Sequence, residues 1–190
     1  NAANDNYYSD DHRFYIFVPD GTHHLTGNAV SDIAGVGIIN NGVTRINASN
    51  VSLIGQSKEG TVIYNEPKYG GSAYTSTIAL DAGVNDFYAE DITMDNRFDY
   101  IKAKDEKLNT QAIAFRDRGD RTVLKNVALR SYEYTYNSNN FGKLAWLLRE
   151  LRHHGSGGYG NRRRQCMVRG MQPYTARPCR QQHRCAYHTG

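Results

Sequence analysis

Cysteine is absent from the first 145 residues of this 190-residue chain, so that stretch says nothing about redox compartment. The three cysteines that follow, Cys166, Cys179 and Cys185, are an odd count for a disulfide framework. No apolar run approaches bilayer-spanning length, which argues against a membrane segment. No segment longer than a turn carries convincing helical periodicity, which argues against a helical bundle. No Met opens the chain, and residues 1–11 are polar with no apolar core of a leader. The expectation is a fragment or a processed chain.

The net charge of +4 conceals a break. Residues 1–145 carry 14 Lys and Arg against 18 Asp and Glu, whereas residues 146–190 carry 9 Arg and a single acid, Glu150. The later stretch has no Lys, Asp, Ile or Phe, yet holds the sole Trp and four of the seven His. The expected organisation is one folded body over residues 12–145 and an Arg-rich tail over residues 146–190.

What the body does contain is short runs of β-branched and aromatic residues between Gly- and Asn-rich turns. Phe14–Val18 runs into Pro19, Asp20 and Gly21, a strong turn signal after a strand. Further strands are predicted at residues 43–46, 51–54, 61–64, 75–80, 86–94, 111–115 and 122–129. The runs FYAEDITMDN from Phe87 and TVLKNVALRS from Thr122 share one pattern, with Asp91 and Asn126 in the same place. Repeated strands with polar turns and no helices predict a solenoid of β-coils, each strand bonded to its equivalent one turn away. A β-sandwich would need hairpin turns, and Asn41-Gly42 offers a single such site.

Four stretches occur in the order found in one family. These are FYIFVPDGTHHL, NVSLIGQSKEGTVIYN, TSTIALDAGVNDFYAEDITMDN and TQAIAFRDRGDRTVLKNVALRSY. Together they resemble the bacterial branch of the pectinesterases (pectin methylesterases), over roughly residues 14–140. The resemblance implies an all-β, right-handed parallel β-helix, here truncated. It also implies hydrolysis of the methyl esters of polygalacturonate, with pectin as partner, no cofactor, a monomeric state, and a secreted or periplasmic location.

In that family one Asp attacks the ester carbonyl, a second acts as general acid and then base, and an Arg holds the nucleophile. Glutamine amides donate to the oxyanion, and a fixed donor of that kind is worth about 2.7–4 kcal/mol. A carboxylate nucleophile is ionised at neutral pH, since its ordinary pKa is about 4. Carried onto this chain, the resemblance places Gln111 as oxyanion donor and substrate contact, and Ser72 at a substrate-binding Thr. Glu133 falls where the family has its second oxyanion Gln, and Tyr134 where it has the acid/base Asp. A carboxylate cannot donate to an oxyanion unless protonated, so Glu133 departs from the expected chemistry. No aspartate follows Asp120, so the nucleophile motif is missing as well.

The tail reads as family sequence in a shifted frame. With one inserted base near Trp146, the codons of Met167 and Met171 must read Trp and Cys. The codons of Gly157 and Gly158 can then read Val-Asp, where a nucleophile belongs. Other readings of the tail are weaker. Cys166, Cys179, Cys185, His183 and His188 lack the paired spacings of a zinc site, so no metal is expected. Arg162, Arg163 and Arg164 with Tyr159 and Tyr174 suit a solvated tail better than nucleic-acid binding. Residues 155–160 are Gly-rich but lack the Lys-Ser/Thr of a phosphate loop. The competing function is a non-catalytic β-helix that binds pectin-like polysaccharide. A lyase would want an acidic calcium cluster, and none is evident. Loss of later coils would leave an open strand edge, so poor solubility is expected.

Overall fold

In the computed structural model, residues 12–33, 35–71 and 74–138 are described, with the backbone of 147–149 and 152–154. The strands are β1 (Phe14–Val18), β2 (Gly21–His24), β3 (Val30–Ile33), β4 (Gly37–Asn40), β5 (Thr44–Ile46), β6 (Val51–Gly55) and β7 (Thr61–Asn65). After them come β8 (Ile78–Leu80), β9 (Tyr88–Asn96), the helix α1 (Tyr100–Asp105), β10 (Phe115–Asp117), β11 (Val123–Arg130) and β12 (Tyr136–Ser138). Two short strands, β13 (Leu147–Arg149) and β14 (Arg152–His154), both pair with β11.

The result is an all-β parallel solenoid of about three turns. One sheet runs β1-β6-β9-β11-β13, with β2, β7 and β14 continuing the same coils past a corner. A second sheet runs β5-β8-β10-β12. Among the described residues all strand pairing is parallel except the antiparallel β3–β4 arm.

Register explains the stack. Leu53 pairs with Ala89 and Ala89 with Leu124, while Ile63 pairs with Met94 and Met94 with Leu129. These inward rows are all buried and form one core with Ile78, Phe87 and Phe115. Because strand side chains alternate between faces, a coil-by-coil repeat puts apolar on apolar. Each fully buried Leu, Ile or Met contributes roughly 1.5–3 kcal/mol over leaving it in water.

The corners are stacked as well. Asn50, Asp86 and Arg121 share a left-handed backbone, and so do Asp91 and Asn126. Asn and Asp tolerate that conformation better than other side chains. Asn126 Nδ2 donates to Asp91 Oδ1 at 2.5 Å across a sequence separation of 35, so the repeat seen in the sequence is a physical ladder. Lys58 Nζ donates to Asn126 Oδ1 at 2.7 Å. Gly55 lies against this ladder: a Cβ there would sit 2.1 Å from the Asp91 carbonyl oxygen.

Several expectations shift. The strand expected at 111–115 begins at Phe115; residues 112–114 ahead of it are buried, and the Ile113 and Ala114 carbonyls accept from Thr77 N and Ile78 N, each at 3.2 Å. Asn41-Gly42 is no hairpin turn. The Asn41 side chain is buried and donates to the Tyr69 and Tyr74 carbonyls at 2.7 and 2.9 Å. The chain also holds α1, six residues whose N-cap Asp99 accepts from Lys102 N at 3.0 Å. A helix this short gives too little periodicity to be read from sequence.

Candidate functional site on the Gln111 face

Three segments from successive coils meet beside the second sheet: residues 66–71, 109–111 and 131–134. Buried asparagines set their positions. Asn65 and Asn96 are register partners at the ends of β7 and β9. Asn65 Nδ2 donates to the Thr75 carbonyl at 3.1 Å, and Asn65 Oδ1 accepts from Thr77 Oγ1 at 2.7 Å. Asn96 Nδ2 donates to the Thr75 and Ile113 carbonyls at 2.6 and 2.9 Å. Buried amides held this way tie strand ends to the next coil and leave few polar atoms unpaired.

On that frame, the Gln111 carbonyl accepts from Gly71 N at 2.7 Å, and Gln111 N donates to Asn109 Oδ1 at 3.0 Å. Gly70 permits the approach, since a Cβ there would lie 1.8 Å from the Asn109 carbonyl oxygen. In the following coil the Ser131 hydroxyl lies 3.0 Å from the Ala112 carbonyl and 3.1 Å from that of Glu133. Thr110 Oγ1 donates to Glu133 Oε2 at 2.9 Å. Gln111 and Glu133 therefore stand in neighbouring coils of one half-buried face. Tyr134 follows with a left-handed backbone and is 54% exposed. Ser72 lies outside the described residues, as do the tail's cysteines and the sidechains of its histidines.

Three features of this face were not read from the sequence. The segment 97–108 folds over it, with Phe98, Ala103 and Ala112 packed together beneath Tyr100. The Tyr100 ring stacks on Tyr132 at 5.2 Å with an interplanar angle of 1°. Thr110 anchors Glu133. The available signal was the pair of strand-ending asparagines, Asn65 and Asn96, followed by a long polar insert. The Tyr132 ring of this stack is on the residue next to Glu133, whose carboxylate Thr110 holds. Among the described residues no group of three or more His, Cys, Asp or Glu could hold a metal.

Deeper in the same sheet, Asp117 is fully buried, one position beyond the pairing of Ala79 with Arg116. It accepts from Tyr136 Oη at 2.9 Å, Gly119 N at 3.0 Å and Thr122 Oγ1 at 3.1 Å. Burial raises its carboxyl above the ordinary value, and these three bonds oppose the rise. On the first sheet's outer face, Glu90 is held low by Lys125 and then by Tyr88. Tyr88 is pushed up to about 12 by burial and by Glu90.

Solved structures share this architecture. A pectin methylesterase variant bound to a hexasaccharide superposes with a TM-score of 0.60 at 23% identity, over 81% of this chain and 44% of that one. The fold is pectin-methylesterase-like. PemA from Erwinia chrysanthemi gives a TM-score of 0.58 at 25% identity, covering 76% of this chain and 41% of PemA. The pectin methylesterase from Yersinia enterocolitica gives 0.53 at 25% identity, over 81% of this chain and 45% of that enzyme. The chain thus spans less than half the length of each. No family model and no curated protein matches it.

Proposed function

We propose that this chain presents the carbohydrate-binding half of a pectinesterase-type site and, as written, engages methyl-esterified polygalacturonate without hydrolysing it. The observation that carries this reading is the juxtaposition of Thr110 and Gln111 with Glu133 beside the Tyr100–Tyr132 stack. A fold shared with enzymes of this class supports it. In this reading Gln111 donates its amide to the ester carbonyl, and the tyrosine stack packs against sugar rings. Ser72 would contact substrate, and the chain would work outside the cytoplasm.

The missing catalysis follows from residue chemistry. Glu133, when ionised, accepts hydrogen bonds and repels a developing oxyanion, where a glutamine would stabilise it. A phenol at Tyr134 is a far weaker acid than the carboxyl of an acid/base aspartate. With no aspartate after Asp120, an attacking carboxylate of the expected kind is absent from these residues.

Two assays test the proposal: binding of methyl-esterified oligogalacturonate by calorimetry, and release of methanol. The expected outcome is saturable binding with no methanol. Absence of binding, or methanol from the chain as it stands, would contradict it. The second reading, a dedicated non-catalytic binder, is favoured by the integration of Glu133 into the Thr110 hydrogen bond. Glu133→Gln with Tyr134→Asp, in a chain whose frame after residue 145 is repaired, separates the two. Recovery of methanol release supports a damaged esterase, and continued silence supports a binder.

A further inference from the structure

Among the described residues Lys58 is the one buried lysine. It sits in the turn between β6 and β7, and its side chain is 10% exposed. Lysine is rarely so covered without a partner. The turn that carries it is held at several points. Gly60 N donates to Ser57 Oγ at 3.0 Å, and Ser57 Oγ donates to Asp20 Oδ1 at 2.8 Å. The Lys58 carbonyl accepts from Thr93 Oγ1 in β9 at 2.6 Å. Held there, the lysine reaches past the coil of β9 to Asn126 in β11.

Lys58 Nζ lies 2.7 Å from Asn126 Oδ1. A carbonyl bond is about 1.23 Å long, which puts Nζ within about 4 Å of Asn126 Cγ. Near-attack contacts are about 3–3.5 Å, so a small turn of the lysine stem closes the remaining gap. Asp91 accepts from Asn126 Nδ2 at 2.5 Å and fixes the amide in place. Glu59 Oε1 lies 3.4 Å from Nζ, on a side chain that is 75% exposed. A primary amine, a carboxamide and two carboxylates therefore converge on one corner. One carboxylate stands at the amide nitrogen and the other at the amine.

We propose that Lys58 and Asn126 join in an intramolecular isopeptide bond, with Asp91 as the proton carrier. Glu59 takes one proton from the ammonium and passes it to water. The Nζ lone pair attacks Asn126 Cγ, and the carbonyl electron pair moves onto Oδ1. With Nζ and Nδ2 now on one carbon, the Asp91 carboxylate takes a proton from Nζ and returns it to Nδ2. The Oδ1 pair re-forms the carbonyl, the Cγ–Nδ2 bond breaks, and ammonia leaves to be protonated in water. No carbon changes oxidation state, so no further reactant is needed. The product ties the coil of β6 and β7 to that of β11 across a sequence separation of 68. Such a closed loop restricts the unfolded chain as a disulfide does, in a body that has no cysteine. The bond is independent of any ligand on the Gln111 face.

The test is mass spectrometry of the full chain, intact and after tryptic digestion, following incubation at mildly alkaline pH. Expected are an intact mass lower by one ammonia, no cleavage after Lys58, and the Lys58 and Asn126 peptides recovered as one branched species. Lys58→Arg should abolish that species, and Asp91→Asn should slow its formation about 100-fold or more. Where a variant fails to fold, the digest of the unaltered chain still decides. An unchanged mass with cleavage after Lys58 overturns the proposal. So does ammonia lost within the Asn126 peptide alone, which marks cyclisation or deamidation without Lys58. Linkage at the full rate in Asp91→Asn overturns the role given to Asp91.

Discussion

The inner rows of the solenoid and the Gln111 face are built from the same coils by opposite rules. In the rows, each coil repeats the last: Leu53, Ala89 and Leu124 are stacked partners, and so are Ile63, Met94 and Leu129. Around Gln111, each coil differs from its neighbour. One contributes the loop before Gly71, the next inserts α1 ahead of Gln111, and the third brings Glu133 and Tyr134. Repetition buries apolar surface and sets the fold, whereas departures from it collect polar and aromatic groups that can meet a ligand.

Breaking the repeat should therefore cost stability first. Leu124→Ala removes a fully buried side chain from the middle of a row and should lower unfolding free energy by about 2–5 kcal/mol, read by chemical denaturation. The Asp91–Asn126 corner ladder comes next. Asn126→Val forces a β-branched residue into a left-handed backbone and should cost about 1–2 kcal/mol more than Asn126→Gly. Equal costs would mean that the corner adapts. On the other side, Tyr132→Ala should weaken oligogalacturonate binding by about 0.5–1.5 kcal/mol while changing the denaturation midpoint little. A large loss of stability with unchanged affinity would make that stack a packing device.

The smallest effects are electrostatic, and their signs differ between the two sheets. Arg121 holds the Asp86 carboxyl below its ordinary value. This pair adds stability above the unfolded carboxyl pKa, near 3.9, and loses it as pH falls through the lower folded value. Both side chains are substantially exposed, so Asp86→Asn should cost about 0.2–1 kcal/mol at neutral pH. Asp117 behaves in the opposite sense. Its folded value is raised, so its contribution is fully present below the unfolded value and is lost as pH rises through the folded one. The stability of the unaltered chain relative to Asp117→Asn should fall as pH is raised from acid towards neutral. A flat difference would show that the Tyr136, Gly119 and Thr122 bonds cancel the effect of burial.

The same contrast explains what could be read in advance. Phe14–Val18 has the bounds expected of it, and the Asp91–Asn126 repeat predicted the stacking of β9 on β11. Those features are local and periodic, so pattern alone reveals them. The β3–β4 arm, α1 and the Tyr100–Tyr132 stack are single events with no period, and their stability comes from contacts across coils. Gln111, Glu133 and Tyr134 were named through resemblance, because side-chain pattern cannot tell an inward glutamine from one that faces a ligand. Asp117 escaped notice for a related reason. A carboxylate in an aliphatic row looks like an outward residue until its three donors are seen.

The most direct test of the account is an amide NMR titration of the full chain with methyl-esterified oligogalacturonate. Saturable shifts confined to residues near 70, 100, 109–111 and 131–134 are the expected result. Shifts centred instead on the outer face of β1, β6 and β9, or none at saturating ligand, would contradict the assignment of the Gln111 face.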